Sequence, residues 1–488
     1  MDTAAYTFAR LYPYPGAPAI PGGTVIIQDG FIRWLGPGED CHRPAKFVGG
    51  TAYPGFIDSH VHFTATGLDL LALNAGEISR IPDLLDAIHQ LDDRNRGLVR
   101  LWGFDPEDYQ ENRLPSLAEL DKACPNNLLW INHIESHATL VNSRSLEALG
   151  LPLTDAFLVG HANQRARNYF LSRISREERE EAAWAAADLA ISRGVTTVHA
   201  MEGGHLFHND DIFALMALQD RLPVDTVIYP QVLDVDWVHG LDFKQVGGCL
   251  PLDGSSGVYT AALTRPYYNR TDRGLLYHSQ EEITAMVRRA QERGMQVAMH
   301  ACGDAAIDLF LAAVETGQKE NPGIRHRIEH FELPRYDQVE RCKELGVILS
   351  MQPAFDWFWG GPEGDYAYTM GPEGWQNANP VGWAIEAGLL VAGGSDSGVT
   401  PLDPLLGIQA ALNHRNPKQR VNLVQALAMF TENGAAAARL DDRGRLGVGM
   451  RGDIVVLRED LQDLPPDRVK DTGVIATINR GELVYLRP

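Results

Sequence analysis

Pro54-Gly55-Phe56-Ile57-Asp58-Ser59-His60-Val61-His62 decides how this chain is read. A Pro-Gly turn leads into an apolar run that ends in two histidines with one residue between them. On a strand, alternate residues share a face and stand about 6–7 Å apart along the chain. Two imidazoles so placed at the end of a buried strand can converge on one metal ion; taken alone, the pair fits a packed histidine beside a chance neighbour better. Other apolar runs end in the same way. Gln296-Val297-Ala298-Met299-His300 ends in histidine, as does His326-Arg327-Ile328-Glu329-His330, and Leu389-Leu390-Val391-Ala392-Gly393-Gly394-Ser395-Asp396 ends in a carboxylate. Histidine and carboxylate suit zinc and similar divalent ions. His326 and His330 share a face but lie about 13 Å apart. Only His330, at the strand end, is therefore a ligand candidate, and His326 is expected to pack or hydrogen-bond deeper.

Around these runs, short apolar strands alternate with helical stretches. Strands are expected near 56–62, 195–201, 224–231, 247–253, 296–302, 326–332, 347–353 and 389–396. Helices are expected over Glu177–Arg193, closed by Gly194, and over Gln280–Arg293, closed by Gly294. Eight strands alternating with helices predict an α/β fold, most simply a closed (β/α)8 TIM-type barrel whose catalytic face lies at the strand C-termini. Residues 64–185 exceed one crossover and predict an inserted subdomain. Both ends carry hairpins: Thr24–Gln28 and Phe31–Leu35 around Asp29-Gly30, and Val474–Ile478 and Leu483–Leu486 around Asn479-Arg480-Gly481, preceded by a strand at Asp453–Leu457. Neither end buries enough apolar surface alone. One small β-sandwich domain built from residues 1–53 and 435–488 is expected, with the barrel over 54–434.

The 488 residues hold 43 Lys and Arg against 64 Asp and Glu, a formal charge of −21 with no basic run, which disfavours nucleic acid and anionic membranes as partners. No stretch approaches the roughly 18 apolar residues of a membrane span. Met1-Asp2-Thr3 lacks the basic flank of a signal peptide, so a cytoplasmic location is expected. The five cysteines are scattered without a C-x-x-C pair, which argues against a disulfide framework or a zinc ribbon and leaves each cysteine to act singly.

Together these stretches resemble the amidohydrolase superfamily, and within it the amidohydrolase-3 branch that includes N-substituted formamide deformylases. The resemblance runs from the His60-Val61-His62 strand through Gly194-Val195-Thr196-Thr197-Val198-His199, His300-Ala301-Cys302-Gly303-Asp304 and Arg327-Ile328-Glu329-His330 to Gly394-Ser395-Asp396, and on to Gly444–Leu457. It implies one or two divalent metals, zinc first. His60 and His62 would hold the buried metal, His300 and His330 the second, and Asp396 would touch a metal and carry the proton. The branch often bridges its metals with a lysine four residues before Asp-Gly-Ser; here Cys249 stands at that position before Asp253-Gly254-Ser255. A thiolate is a good zinc ligand and can bridge, so Cys249 is expected to bridge or ligate; otherwise it is a small buried cysteine.

Other residues carry weaker signals. Glu135-Ser136-His137-Ala138, inside the insertion, resembles a Gly-His-Ala stretch of the branch, which would let His137 bind substrate or steady an oxyanion. His199, at the end of the second strand, is expected near the metals as a catalytic or supporting group, with Glu202 beside it; Asp304 is expected to orient a ligand. Phe355, Trp357, Phe358, Trp359, Tyr366, Tyr368 and Trp375 suit an apolar wall for a small-molecule substrate or, alternatively, a homodimer interface. The expected activity is hydrolysis of a C–N bond in an amide, N-acyl, N-formyl or cyclic amide. An ester or lactone hydrolase, or a non-catalytic regulatory protein on the same barrel, is the alternative; the intact histidines and Asp396 argue against the last.

Overall fold

Apolar runs buried on both faces form parallel strands, because parallel sheets are covered on both sides. The computed structural model describes residues 3–487 apart from 95–96, 106–108, 134–137, 205 and 321. The chain divides into two compact units, residues 1–62, 187–202 and 219–488, and residues 63–186 and 203–218.

The first unit carries β1 (Phe56–Val61), β2 (Val195–Glu202), β3 (Asp225–Pro230), β4 (Gln245–Val246), β5 (Gln296–Gly303), β6 (Arg327–Leu333), β7 (Ile348–Met351) and β8 (Val391–Gly393). They pair in parallel in the orders β3-β2-β1 and β4-β5-β6-β7-β8. Backbone hydrogen bonds also join the two sheets at their edges. Gly247 N donates to Pro230 O (2.9 Å), Asp396 N to His60 O (2.8 Å) and His62 N to Ser397 O (3.2 Å).

Helices return the chain between several strands. One covers Arg176–Ser192, followed by Gly194 at φ 80°. The next, α1 (Gln280–Glu292), opens on a Ser279/Glu282 capping box. Then come α2 (Asp304–Glu320), α3 (Tyr336–Glu344) and α4 (Pro353–Trp359), whose first position is the proline.

The fourth strand differs from expectation. The apolar stretch 247–253 is mostly a buried turn, and the strand is the two residues before it. Gly247 (φ 93°) and Gly248 (φ 54°) take left-handed conformations that end the ladder. The chain then rejoins β5 at a bridge between Pro251 and His300. This detour sets Cys249 in the turn.

Both ends of the chain build two further sheets in this unit. One orders Phe31–Pro37, Gly23–Gln28, Thr3–Thr7 and Lys46–Phe47; the other orders Glu482–Leu486, Val474–Asn479, Ile454–Leu457, Thr51–Pro54, Arg10–Leu11 and Ile20–Pro21. Phe8, Val25 and Ile32 pack in one apolar cluster with Ile454, Val456 and Ile478. Asp29 (φ 52°) and Gly30 (φ 82°) form the first hairpin's turn.

The second unit has a five-stranded sheet, Phe157–Val159, Ala138–Val141, Leu128–His133, Leu98–Phe104 and Leu73–Asn74, over a core that includes Ile88, Leu101 and Leu120. Among the described residues, no helix is long and apolar enough to cross a membrane.

Candidate metal centre

His60 near the end of β1 and His62 just beyond it aim two imidazoles at one carboxylate. Asp396 Oδ1 lies 3.3 Å from His60 Nε2 and 3.2 Å from His62 Nε2. Two devices bring Asp396 there. Its own backbone is left-handed (φ 55°), and Asp58 Oδ1 accepts from both His60 N (3.1 Å) and Ser395 N (2.9 Å), tying β1 to the loop after β8.

Cys249, His300 and His330 converge beside this trio. Cys249 Sγ is 3.3 Å from His330 Nε2 and 3.8 Å from His300 Nδ1. Cys249, His330 and His60 each offer a ligand atom within 4.8 Å of the others, and so do His60, His62 and Asp396. His60 thus belongs to both groups. His330 (φ 73°) and Phe331 (φ 54°) are successive left-handed residues inside β6. Such conformations are costly for bulky side chains and persist where surrounding structure enforces them.

The outer nitrogen of each imidazole is spoken for. His60 Nδ1 donates to Glu329 Oε2 (2.7 Å), His62 Nδ1 to Met201 O (3.4 Å), His300 Nε2 to Gly254 O (3.1 Å) and His330 Nδ1 to Gln352 Oε1 (2.9 Å). Those acceptors choose the tautomer and leave the opposite nitrogens facing the cluster. Among the described residues, His60 Nε2 and Asp396 Oδ1 are buried with no well-formed hydrogen bond, only the approach to neighbouring groups of the cluster. A buried polar atom left so is costly unless something else satisfies it.

Charge in the cluster is polarised. Burial opposes ionisation of His60, but the Cys249 and Asp396 charges raise its pKa well above the usual imidazole value. For His62 the same burial is outweighed mainly by the Asp396 carboxylate 3.2 Å away, and the pKa is pushed up to about 9. Burial would raise Cys249, yet His60 and His330 hold it well below an ordinary thiol. Asp396 is likewise held well below the carboxylate range, against burial, by His60 and His62. Cys302 contrasts with Cys249. Burial and the Glu332 charge push it well above the thiol range, and its Sγ lies 3.1 Å from Glu332 Oε1. Imidazole nitrogens, a thiolate and a carboxylate, buried and facing one another, are a donor set that fits a divalent cation of zinc's softness.

The remaining candidates are not among the groups that converge in the cluster. His199 is fully buried in β2, and its Nδ1 accepts from Arg327 Nη1 (2.8 Å). Burial and the Arg327 charge hold it well below the usual imidazole value, so it is neutral. Asp304 was expected to orient a ligand; instead it accepts from Thr264 N (2.8 Å) and Arg335 Nη1 (3.1 Å), pinning a loop to α2 and α3. His326 Nδ1 accepts from Val297 N (3.0 Å), below the cluster. His137, with Glu135 and Ser136, lies outside the described residues. Of the aromatic residues, Phe355 stacks on His330 (centroids 6.0 Å, planes 12° apart), Tyr366 donates to Glu332 (2.8 Å), and Tyr368 and Phe358 are exposed.

The amidohydrolase family model matches residues 48–485, a span that takes in every member of the cluster. The chain belongs to the amidohydrolase family. It is 26% identical to YtcJ of Bacillus subtilis (strain 168), a candidate amidohydrolase, across 94% of this chain and 95% of that one. It is 23% identical to the N-substituted formamide deformylase of Arthrobacter pascens, across 96% and 95%. The structure of an uncharacterised metal-dependent hydrolase from Pyrococcus furiosus matches with a TM-score of 0.79 at 25% identity, covering 96% of this chain and 100% of that chain.

Within this amidohydrolase-family chain, sequence reasoning passed over Glu329, Gln352 and Asp58. Glu329 meets His60 across 269 residues and Asp58 meets Ser395 across 337, contacts that only the fold creates. One signal was available for Glu329. Arg327 and Glu329 alternate on one face of a fully buried strand, and charges buried that way are normally paired.

Proposed function

We propose that this chain is a zinc-dependent hydrolase of a carbon–nitrogen bond in an amide, N-formyl, N-acyl or cyclic amide substrate. Its eight parallel strands read as one closed (β/α)8 barrel, and the sheets from the two chain ends as a small β-sandwich. The observation that carries the function is the convergence of His60, His62 and Asp396 with Cys249, His300 and His330.

His60, His62 and Asp396 would hold one cation, and His300 and His330 a second, with Cys249 between them in place of a bridging lysine. Bound there, a divalent ion supplies Lewis acidity, polarising a carbonyl and lowering the pKa of water toward about 7. The chain supplies the rest. Asp396, held ionised by its imidazole neighbours, takes a proton from the attacking water and returns it to the leaving nitrogen, which amide cleavage requires. Phe355, parallel to the His330 ring, offers an apolar wall. Membership of the amidohydrolase family and the formamide deformylase among its relatives support the choice of bond.

The test is elemental analysis of the purified chain together with turnover of N-formyl, N-acyl, lactam and lactone compounds. Zinc and amide turnover are expected together, and Cys249→Ala is expected to lower metal content more than Cys342→Ala does. In a metal-bound structure the Cys249 sulfur should stand about 2.3 Å from zinc. A metal-free protein with full activity overturns the function. Two metals bridged by another group, with the sulfur out of range, overturn the role of Cys249.

A further inference from the structure

The outer nitrogens of the four imidazoles meet different chemistry. For His62, His300 and His330 the acceptors are neutral oxygens. Asp253 Oδ1 also approaches His300 Nε2 at 3.4 Å, but that carboxylate already accepts from Ala262 N, Cys302 N and Gly303 N at 2.8–3.0 Å. Among the contacts of the described residues, His60 is the one of the four that donates closely to a carboxylate, Glu329 Oε2 at 2.7 Å, and both side chains are fully buried.

Behind Glu329 stands Arg327, also fully buried. Its Nη2 donates to Glu329 Oε2 (2.7 Å) and its Nε to Oε1. The rest of the guanidinium is fixed by Ser350 Oγ (3.0 Å), His199 Nδ1 (2.8 Å), Tyr229 Oη (3.3 Å) and Ser59 O. Burying such an ion pair rarely stabilises a fold relative to apolar side chains of similar volume. Folding alone therefore gives little reason for it. What the pair achieves is an ionised carboxylate, unable to turn toward water, held against one nitrogen of one ligand candidate. A carboxylate there keeps the proton on Nδ1, leaves the Nε2 lone pair facing the cluster and makes it a stronger donor.

On the metal-dependent reading of the site, we infer that Glu329 is a positioning residue for the cation held by His60, His62 and Asp396, with Arg327 as its anchor. It acts through His60 and touches neither cation nor substrate.

Zinc affinity is measured on the full chain by competition with a chromophoric chelator, for wild type, Glu329→Gln and Ser350→Ala. Ser350→Ala loosens Arg327 while sparing the bond to His60. Glu329→Gln should weaken one zinc site by roughly 10–100-fold, the usual effect of losing such a partner, and Ser350→Ala, which only loosens the anchor, should weaken it by a smaller factor. Circular dichroism of the metal-free proteins checks folding. If Glu329→Gln fails to fold because Arg327 is left uncompensated, the charge-neutral double variant Arg327→Gln/Glu329→Gln takes its place and should show the same loss. In zinc-loaded wild type with 15N-labelled histidine, His60 should carry its proton on Nδ1 with a strongly downfield resonance. A folded variant that binds zinc as tightly as wild type overturns the inference, as does a His60 without that Nδ1 proton. Wild type that binds no zinc at all overturns the metal-dependent reading instead.

Discussion

Asp396 is where geometry and chemistry are most tightly joined. Its left-handed backbone turns the carboxylate back onto His60 and His62, and those imidazoles keep it ionised. Asp396→Asn keeps the shape and one oxygen but removes the basicity of the carboxylate. Turnover should fall by roughly 10²–10⁴-fold, the size of a general acid–base contribution. Metal content should fall much less than in His60→Ala. Near-normal turnover in a metal-loaded Asp396→Asn would move the proton work to another group. The histidines also fix a pH dependence. In the metal-free chain His62 titrates near pH 9 instead of near 6.5. Stability from that bound proton is complete below about pH 6.5 and is lost as pH rises through about 9. A cation must displace the same proton, so apparent zinc affinity should rise with pH across that window; chelator competition at several pH values checks it. A flat profile would mean His62 is already neutral. At this scale His60, His62, His300, His330 and Asp396 were legible because each ends an apolar run. Their acceptors were not, since Met201, Gly254, Glu329 and Gln352 are supplied by other strands and loops and obey no local spacing.

Elements meet at distances that only certain residues tolerate. Gly394 is the clearest case. A Cβ there would stand 2.7 Å from His60 Cβ and 2.8 Å from His60 N. β8 can therefore close on β1 only because the position lacks a side chain. Gly394→Ala should cost about 1–3 kcal/mol, as overfilled cores do, and should also reduce metal content by pushing Asp396 away from the two histidines. Thermal denaturation and elemental analysis of one variant read both effects; unchanged metal content would show that the loop absorbs the shift on its own. The same scale explains the misjudged fourth strand. Cys249-Leu250-Pro251-Leu252 is apolar because it is buried, and burial alone does not distinguish strand from turn. The preceding Gly247-Gly248 carried the correction: consecutive glycines mark a chain leaving the ladder. The alternation of helix and strand elsewhere was legible because it is local. α1 follows from its Ser279/Glu282 box and its amphipathic spacing.

At the scale of the whole molecule, metal and fold are expected to be coupled, because the candidate ligands come from β1, the turn after β4, β5, β6 and the loop after β8. A cation that binds only the folded state stabilises it by about 2.7 kcal/mol when free metal is 100-fold above Kd. Chelation should accordingly lower the melting temperature, and zinc should restore it. A melt indifferent to chelator would argue that the ligand groups are locked by their own hydrogen bonds. The shared core of the two chain ends was legible in kind, since neither hairpin set can bury its apolar face alone. The pairing itself was not, because nothing in a hairpin names its neighbour.

That pairing sets an order on how the protein is made. Thr51–Pro54 lies between Arg10–Leu11 and Ile454–Leu457, and runs directly into the strand that bears His60 and leads to His62. One neighbour leaves the ribosome early; the other lies about 400 residues later. At about 5–20 residues per second, the nascent chain must wait about 20–80 s with that edge uncovered. During this interval the edge is a template for pairing with other chains, so the burden of escaping aggregation falls on synthesis, and on whatever shields the growing polypeptide until Ile454–Leu457 arrives.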